Sequence, residues 1–250
     1  GDISVTGKVG ATGPLGDVLI TSARNTTFSD SLSAKSYQQL SGAKTTFLGN
    51  VVTTGAVPSS GTDGFQFTGN ELHFAGASSL DSTGHDVTIT ADLLDLPTTF
   101  LNATGKTVTI QTLTASRGIG LNDASQPLNI IAPELAAVHA ANLVVGRTGN
   151  SGGISIGGGG PILVDANVTL ATGSNVDVNG QFRLTNGHSL SVTTGNDLNV
   201  GPTGQLQPLD GSIQLNVGRD MNVSGFIITN SQPLMAHVSR DLNVLNGGLI

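Results

Sequence analysis

Gly195-Asn196-Asp197-Leu198-Asn199-Val200, Gly218-Arg219-Asp220-Met221-Asn222-Val223 and Ser239-Arg240-Asp241-Leu242-Asn243-Val244 are three versions of one phrase. Each ends in an apolar–polar–apolar triplet. Traced backwards, the triplet returns as Val176-Asp177-Val178, Ile154-Ser155-Ile156, Leu128-Asn129-Ile130, Val108-Thr109-Ile110, Val87-Thr88-Ile89 and Phe65-Gln66-Phe67. The mean step is about 22 residues, a period that marks a solenoid. Alternation over three residues is a strand whose two apolar side chains share one face.

Two further apolar pairs follow each triplet. After Val176 come Phe182-Arg183-Leu184 and Leu190-Ser191-Val192; after Ile154 come Ile162-Leu163-Val164 and Val168-Thr169-Leu170. Three short strands per period predict an all-β, three-sided parallel β-helix, with each strand pairing its counterpart one coil away at about 4.8 Å. The corners carry residues suited to tight turns, among them Gly173-Ser174-Asn175, Asn186-Gly187 and Gly195-Asn196, because Gly tolerates positive φ and Asn bonds its own backbone. About eleven coils are expected over the 250 residues. The reading is one solenoid over 1–250, irregular over 1–64 and regular over 65–250. A Gly-rich loop insertion falls at about 146–160, where Gly149 to Gly153 and Gly157 to Gly160 cluster. Residues 136–142 are rich in Ala, yet strand and turn are expected there because the repeat holds on both sides.

Composition agrees with a narrow core. Hydrophobic residues make up 37% and charged residues 11%, with 35 Gly, one Tyr and no Trp, so stacked aliphatic side chains are expected inside. A net charge of −7 with ten basic residues argues against a nucleic-acid partner, which needs clustered Lys and Arg. No apolar run reaches transmembrane length. Cysteine is absent, which removes a thiol nucleophile and suits export without disulfides.

Chemistry-bearing groups are few. Asp197, Asp220 and Asp241 stand one residue before a strand, with Arg219 and Arg240 just ahead. Stacked carboxylates could bind a cation, but turn capping with alternating Arg is the favoured reading. The polar centres Thr88, Thr109, Asn129, Ser155, Asp177, Asn199, Asn222 and Asn243 should point outward and bond along the stack. His73, His85, His139, His188 and His237 share no metal-ligand spacing. Glu71 and Glu134 are the only glutamates, and Tyr37 alone offers little to stack a sugar. Sequons begin at Asn25, Asn102, Asn167 and Asn222, at a frequency that chance accounts for in so polar a chain. No catalytic, metal or cofactor-binding residues are assigned, and no cofactor is expected.

The phrases at 195–200, 218–223 and 239–244, with Gly105-Lys106-Thr107-Val108-Thr109-Ile110, resemble the large exoproteins of the filamentous-haemagglutinin type. These are exported by two-partner secretion in Gram-negative bacteria. The resemblance covers 65–250 well and the beginning loosely, and it implies a right-handed coil. It also implies a secreted or cell-surface location, an outer-membrane transporter as export partner, and a non-enzymatic adhesin shaft contacting host or environmental surfaces or glycans. A carbohydrate-active β-helix enzyme and a plain structural spacer are the alternatives. Self-association through the coil ends is expected because neither terminus carries a polar capping repeat.

Overall fold

The computed structural model describes residues 1–245 and 247–250. It is a β-solenoid: every described strand pairing is parallel, and one short helix is the only helical element among the described residues. Contacts gather into two compact units, Gly1–Leu113 with Ala137–Ala141, and Thr114–Ala136 with Asn142–Ile250.

In the first unit the chain winds through three ladders. The first stacks Ile3–Val5, Ala23–Phe28, Gly42–Phe47, Glu71–Phe74 and Leu93–Asp95. The second joins Leu32, Val51, Leu80 and Leu101 in register. The third joins Val18, Tyr37, Phe65, Val87 and Val108. Successive coils contribute to each ladder in turn, with Leu32–Gln39 and Leu101–Gln111 each long enough to serve both the second and the third. Residues 1–64 therefore enter the same ladders as the coils after them, and their spacing wanders because the corner segments differ in length. The longest runs from Val51–Thr53 to Asp63–Thr68.

Beside aliphatic side chains such as Leu32, Val51, Leu80 and Val108, the interior of this unit holds the strand phenylalanines Phe65, Phe67 and Phe74, as their strand positions imply, whereas Phe100 is only half-buried. Phe28, Phe47 and Phe74 stack along the first ladder, with ring centroids 5.2 and 5.1 Å apart. Tyr37 and Phe65 stack at 5.0 Å along the third, and the two piles meet edge to face, as Tyr37 does with Phe47. Because parallel in-register strands place like side chains one above another, five of the few aromatic residues become one cluster. The Tyr37 hydroxyl donates to Gln39 Oε1 at 2.7 Å, and Thr45 Oγ1 donates to the same oxygen at 2.8 Å. That satisfies a phenol with no exposed surface, and burial pushes its ionisation far above the usual range.

The second unit shows the triangular coil most plainly. Its triplet ladder runs, in spatial order, Leu128–Ile130, Ile119–Leu121, Ile154–Ile156, Val176–Val178, Leu198–Val200, Met221–Val223 and Leu242–Val244. A second ladder holds Ile162–Val164, Gln181–Leu184, Gln205–Pro208 and Phe226–Ile227. The third pairs Asn142 to Arg147 with Asn167–Thr172, then Leu190–Thr194, Ile213–Val217 and Leu234–Val238. Between the outer members the inward aliphatic side chains are sealed: Val176, Val178, Leu198, Met221 and Val223 have no exposed surface.

The sequence reading placed all nine triplets in one column. They occupy two. Phe65, Val87 and Val108 open triplets of one sheet, whereas those from Leu128 onward belong to another. Leu128–Ile130 pairs with Ile119–Leu121 and not with the Val108 triplet. An apolar–polar–apolar strand looks the same on any side of a triangle, so local pattern alone cannot assign the side. The short step before Leu128 and the long one after it mark the change.

The Ala-rich segment also divides. Ala132–Ala136 forms one helical turn, and Val138–Arg147 is a strand. The turn begins at Ile131, whose backbone N–H donates to Glu134 Oε2 at 2.7 Å, as the reaching-back half of a capping box does. It packs against Ile162–Val164, filling the place that strands of the second ladder take in later coils. The Gly-rich stretch brackets the buried strand Ile154–Ile156 with turns at 148–153 and 157–161.

Candidate functional site

The charged groups singled out in the sequence come together as clamps. Arg219 Nε donates to Asp197 Oδ1 at 2.7 Å, and its Nη2 pairs with Asp197 Oδ2. One coil on, Arg240 Nε donates to Asp220 Oδ1 at 2.6 Å, and its Nη2 pairs with Asp220 Oδ2. The backbone N–H of Asp220 also donates to Asp197 Oδ1 at 3.2 Å. The reason is register. Leu198 faces Met221, so Asp197 faces Asp220, and the Arg just before Asp220 reaches back to the preceding carboxylate in the two-pronged geometry that guanidinium and carboxylate share. The carboxylates do not converge on a cation site: no group of three potential metal ligands occurs among the described residues.

The first unit holds the same device, which the sequence reading missed. Arg24 Nε donates to Asp2 Oδ1 at 2.9 Å and Nη2 to Oδ2 at 2.6 Å, while the Asn25 backbone N–H donates to Asp2 Oδ1 at 3.2 Å. Asn25 stands where Asp220 stands in the other case, which hid the likeness. The spacing of Asp2 before Ile3–Val5, with Arg24 two residues ahead of Thr26, was the available signal.

The outward polar centres form the expected ladder over part of their length. Asn199 Nδ2 donates to Asp177 Oδ1 at 2.7 Å, Asn222 Nδ2 to Asn199 Oδ1 at 2.9 Å, and Asn243 Nδ2 to Asn222 Oδ1 at 2.9 Å. Ser155 turns instead to Asp123, and Thr88 donates to Asp63 Oδ1 at 2.6 Å. The sequon asparagines are engaged as well: Asn25 with Asp2, Asn102 with Asp81, Asn167 with Asn142, and Asn222 in the ladder just described.

The other candidates separate. His188 Nε2 lies 3.1 Å from Asp165 and His73 Nδ1 2.5 Å from Asp95, while the His139 ring rests against Phe100 at 5.1 Å. Glu71 pairs with Lys44, and Glu134 caps the helical turn. Tyr37 is wholly buried and presents no ring to a sugar. An open groove of about 520 Å³ follows one corner of the first unit past Ser22, Ser41, Gly42, Gly69 and Asn70. Its Arg24 is already held by Asp2.

Several carboxylates are held below their ordinary range. The Arg24 guanidinium lowers Asp2 to about 2, and the Arg219 guanidinium lowers Asp197. Hydrogen bonds from Ser36, Ser155 and Asn186 lower Asp17, Asp123 and Asp165. A carboxyl whose native pKa lies below its unfolded value stabilises the fold above the unfolded value and loses that contribution as pH falls through the native one. Thermal unfolding followed by circular dichroism should therefore give a flat melting temperature from neutral pH to about pH 5 and a steady fall below about pH 4. A melting temperature that rises on acidification would contradict this account of the clamps.

Among the described residues, no helix is long and apolar enough to cross a membrane. Comparison with family models, with curated proteins and with solved structures gives no match for this chain.

Proposed function

We propose that this chain is part of a non-enzymatic surface adhesin, a β-helical shaft whose flat polar sides meet a host or environmental surface. The observation that supports the reading is the one-residue-per-coil presentation of outward side chains. Thr169, Ser191, Gln214 and Met235 lie in register on one side of the second unit, and Ala171, Thr193, Asn216 and His237 lie beside them. Such an array suits repeated weak contacts along an extended ligand such as a glycan, because three successive coils offer a hydroxyl or amide group at the same spacing, Thr169, Ser191 and Gln214. The resemblance of the clamp phrases to filamentous-haemagglutinin-type exoproteins supports the same reading. It extends it to secretion from a Gram-negative bacterium through an outer-membrane transporter.

Immobilised protein should retain cultured epithelial cells or bind members of a glycan array. A triple variant, Thr169→Glu with Ser191→Glu and Gln214→Glu, should lose that retention while keeping its circular dichroism. Retention unchanged by the triple variant would remove this side as the contact. No retention by either protein would favour a spacer, and release of oligosaccharides from the arrayed glycans would favour an enzyme.

A further inference from the structure

The corner that joins Val176–Val178 to Gln181–Leu184 consists of two residues, Asn179 and Gly180. The corresponding corners of the coils on either side are longer, Gly157 to Pro161 before it and Gly201 to Gly204 after it. The short corner therefore faces an open groove of about 310 Å³, which it shares with Gly158, Gly159, Pro161 and Thr203. A Cβ on Gly180 would run into the Gly157 carbonyl, so only glycine lets the corner nest on the coil before it. Asn followed by Gly is also a pair that reacts with itself. The backbone nitrogen of the second residue attacks the side-chain carbonyl carbon of the first, and glycine leaves that approach unhindered.

Two Asn-Gly pairs lie wholly among the described residues, and the fold treats them oppositely. At Asn186-Gly187 both reacting groups are engaged. Asn186 Nδ2 donates to Asp165 Oδ1 at 2.8 Å, and the Gly187 N–H donates to the Leu209 carbonyl at 3.1 Å. At Asn179-Gly180 neither is engaged: the exposed Asn179 carboxamide and the Gly180 N–H have no hydrogen-bond partner among the described residues. What this pair has instead is Thr203, whose Oγ1 donates to the Asn179 carbonyl at 2.7 Å. That carbonyl belongs to the same peptide group as the Gly180 nitrogen. When the N–H ionises, the negative charge is shared with the oxygen that Thr203 holds, and a donor aimed at developing charge favours the step.

We infer that Asn179 is a self-modification site of this protein, activated by Thr203. The Gly180 nitrogen gives its proton to hydroxide and bonds to Asn179 Cγ. The carboxamide nitrogen takes a proton from water and leaves as ammonia, which closes a succinimide ring. Water then opens the ring at either of its C–N bonds, giving aspartate or isoaspartate; no oxidant or cofactor enters. Either product places a new carboxylate beside the groove. Isoaspartate also adds a methylene to the backbone of a two-residue corner, so conversion by that route loosens the coil. The site stands whether or not the side bearing Thr169, Ser191 and Gln214 meets a surface.

The intact protein is incubated at mildly alkaline pH beside the same protein unfolded in guanidinium chloride, until the unfolded chain has converted at both sites. Peptide mapping by mass spectrometry then reads Asn179 and Asn186 separately. In the folded protein Asn179 should convert about tenfold faster than Asn186, the scale set by the hydrogen bonds that hold the second pair. In the unfolded chain the two rates should converge. Thr203→Val should slow Asn179 about two- to tenfold, as the loss of one hydrogen bond implies, and leave Asn186 unchanged. Thr203→Ser keeps the donor and should keep the native rate. Thr203 is exposed, and circular dichroism checks that both variants retain the fold. Conversion of Asn179 no faster than that of Asn186 in the folded protein would overturn the assignment, as would an Asn179 that stays intact there. A Thr203→Val rate equal to the native one would overturn the activation by Thr203.

Discussion

Phe47→Ala is expected to destabilise the first unit by about 3–5 kcal/mol, the range for removing a fully buried aromatic side chain. Phe47 has no exposed surface and lies between Phe28 and Phe74 at 5.2 and 5.1 Å, with Tyr37 edge-on at 5.4 Å. Deleting it removes the middle of one aromatic pile and the contact with the other. Parallel strands held by their ladders cannot close sideways over the gap, so the cavity term adds to the lost burial. Phe100→Ala is the control, because Phe100 is only half-buried and rests against His139. Denaturant unfolding followed by fluorescence of Tyr37, the single tyrosine, reports on the affected cluster directly. A loss below about 1 kcal/mol, the common size of a point-mutation effect, would mean that the aromatic pile is not what holds this unit.

The second large effect lies at a corner. A Cβ added to Gly195 would stand 2.3 Å from the Gly173 carbonyl oxygen, and one on Gly218 would stand 2.2 Å from that of Gly195. Neither position needs positive φ; what they need is absence of a side chain, because successive coils fold back over one another there. Gly195→Ala is expected to cost about 1–3 kcal/mol through backbone displacement. The same substitution at Gly149, which has nothing within 4 Å of the added atom, should stabilise by about 0.4–1 kcal/mol through the unfolded chain. Opposite signs for one chemical change make a demanding test, and equal melting temperatures for the two variants would contradict the close approach.

These two cases also show where a linear reading succeeds and where it fails. The strands of the second unit are visible as aliphatic pairs around a polar centre, since Val176, Val178, Leu198 and Val200 each repeat the same burial one period later. Corner chemistry is visible too: Asn186 and Gly187 both adopt positive φ, at 56° and 76°, as an Asn-Gly pair invites. What local pattern cannot carry is which side of the triangle a strand belongs to, and so the triplets before and after Leu128 were read as one column. The aromatic cluster was hidden for a related reason. Phe28, Tyr37 and Phe47 lie in the coils whose corners vary most, so their stacking depends on pairings such as Phe28 with Phe47 and Tyr37 with Phe65 that no fixed period announces. Of the polar candidates, the Asp197 and Asp220 clamps were legible because Arg and Asp recur together. The Asp2 clamp was not, because Asn25 replaces the second Asp.

One asymmetry is shared by the aspartate-centred clamps and the asparagine ladder, although Lys44 reaches forward to Glu71 and His73 forward to Asp95. In the Arg clamps and the asparagine ladder, and around Asp17 and Asp165, the acceptor lies on the earlier coil and the donor on the later one. A chain threading outward from its amino end thus lays down each receptor before the group that will occupy it has arrived. Winding in that order needs only one new turn to organise at a time, against a template already rigid. Winding from the other end would leave guanidinium groups waiting on carboxylates still in the coil's future. In the clamps and the asparagine ladder, the order of the coils along the chain is also the order of acceptor and donor.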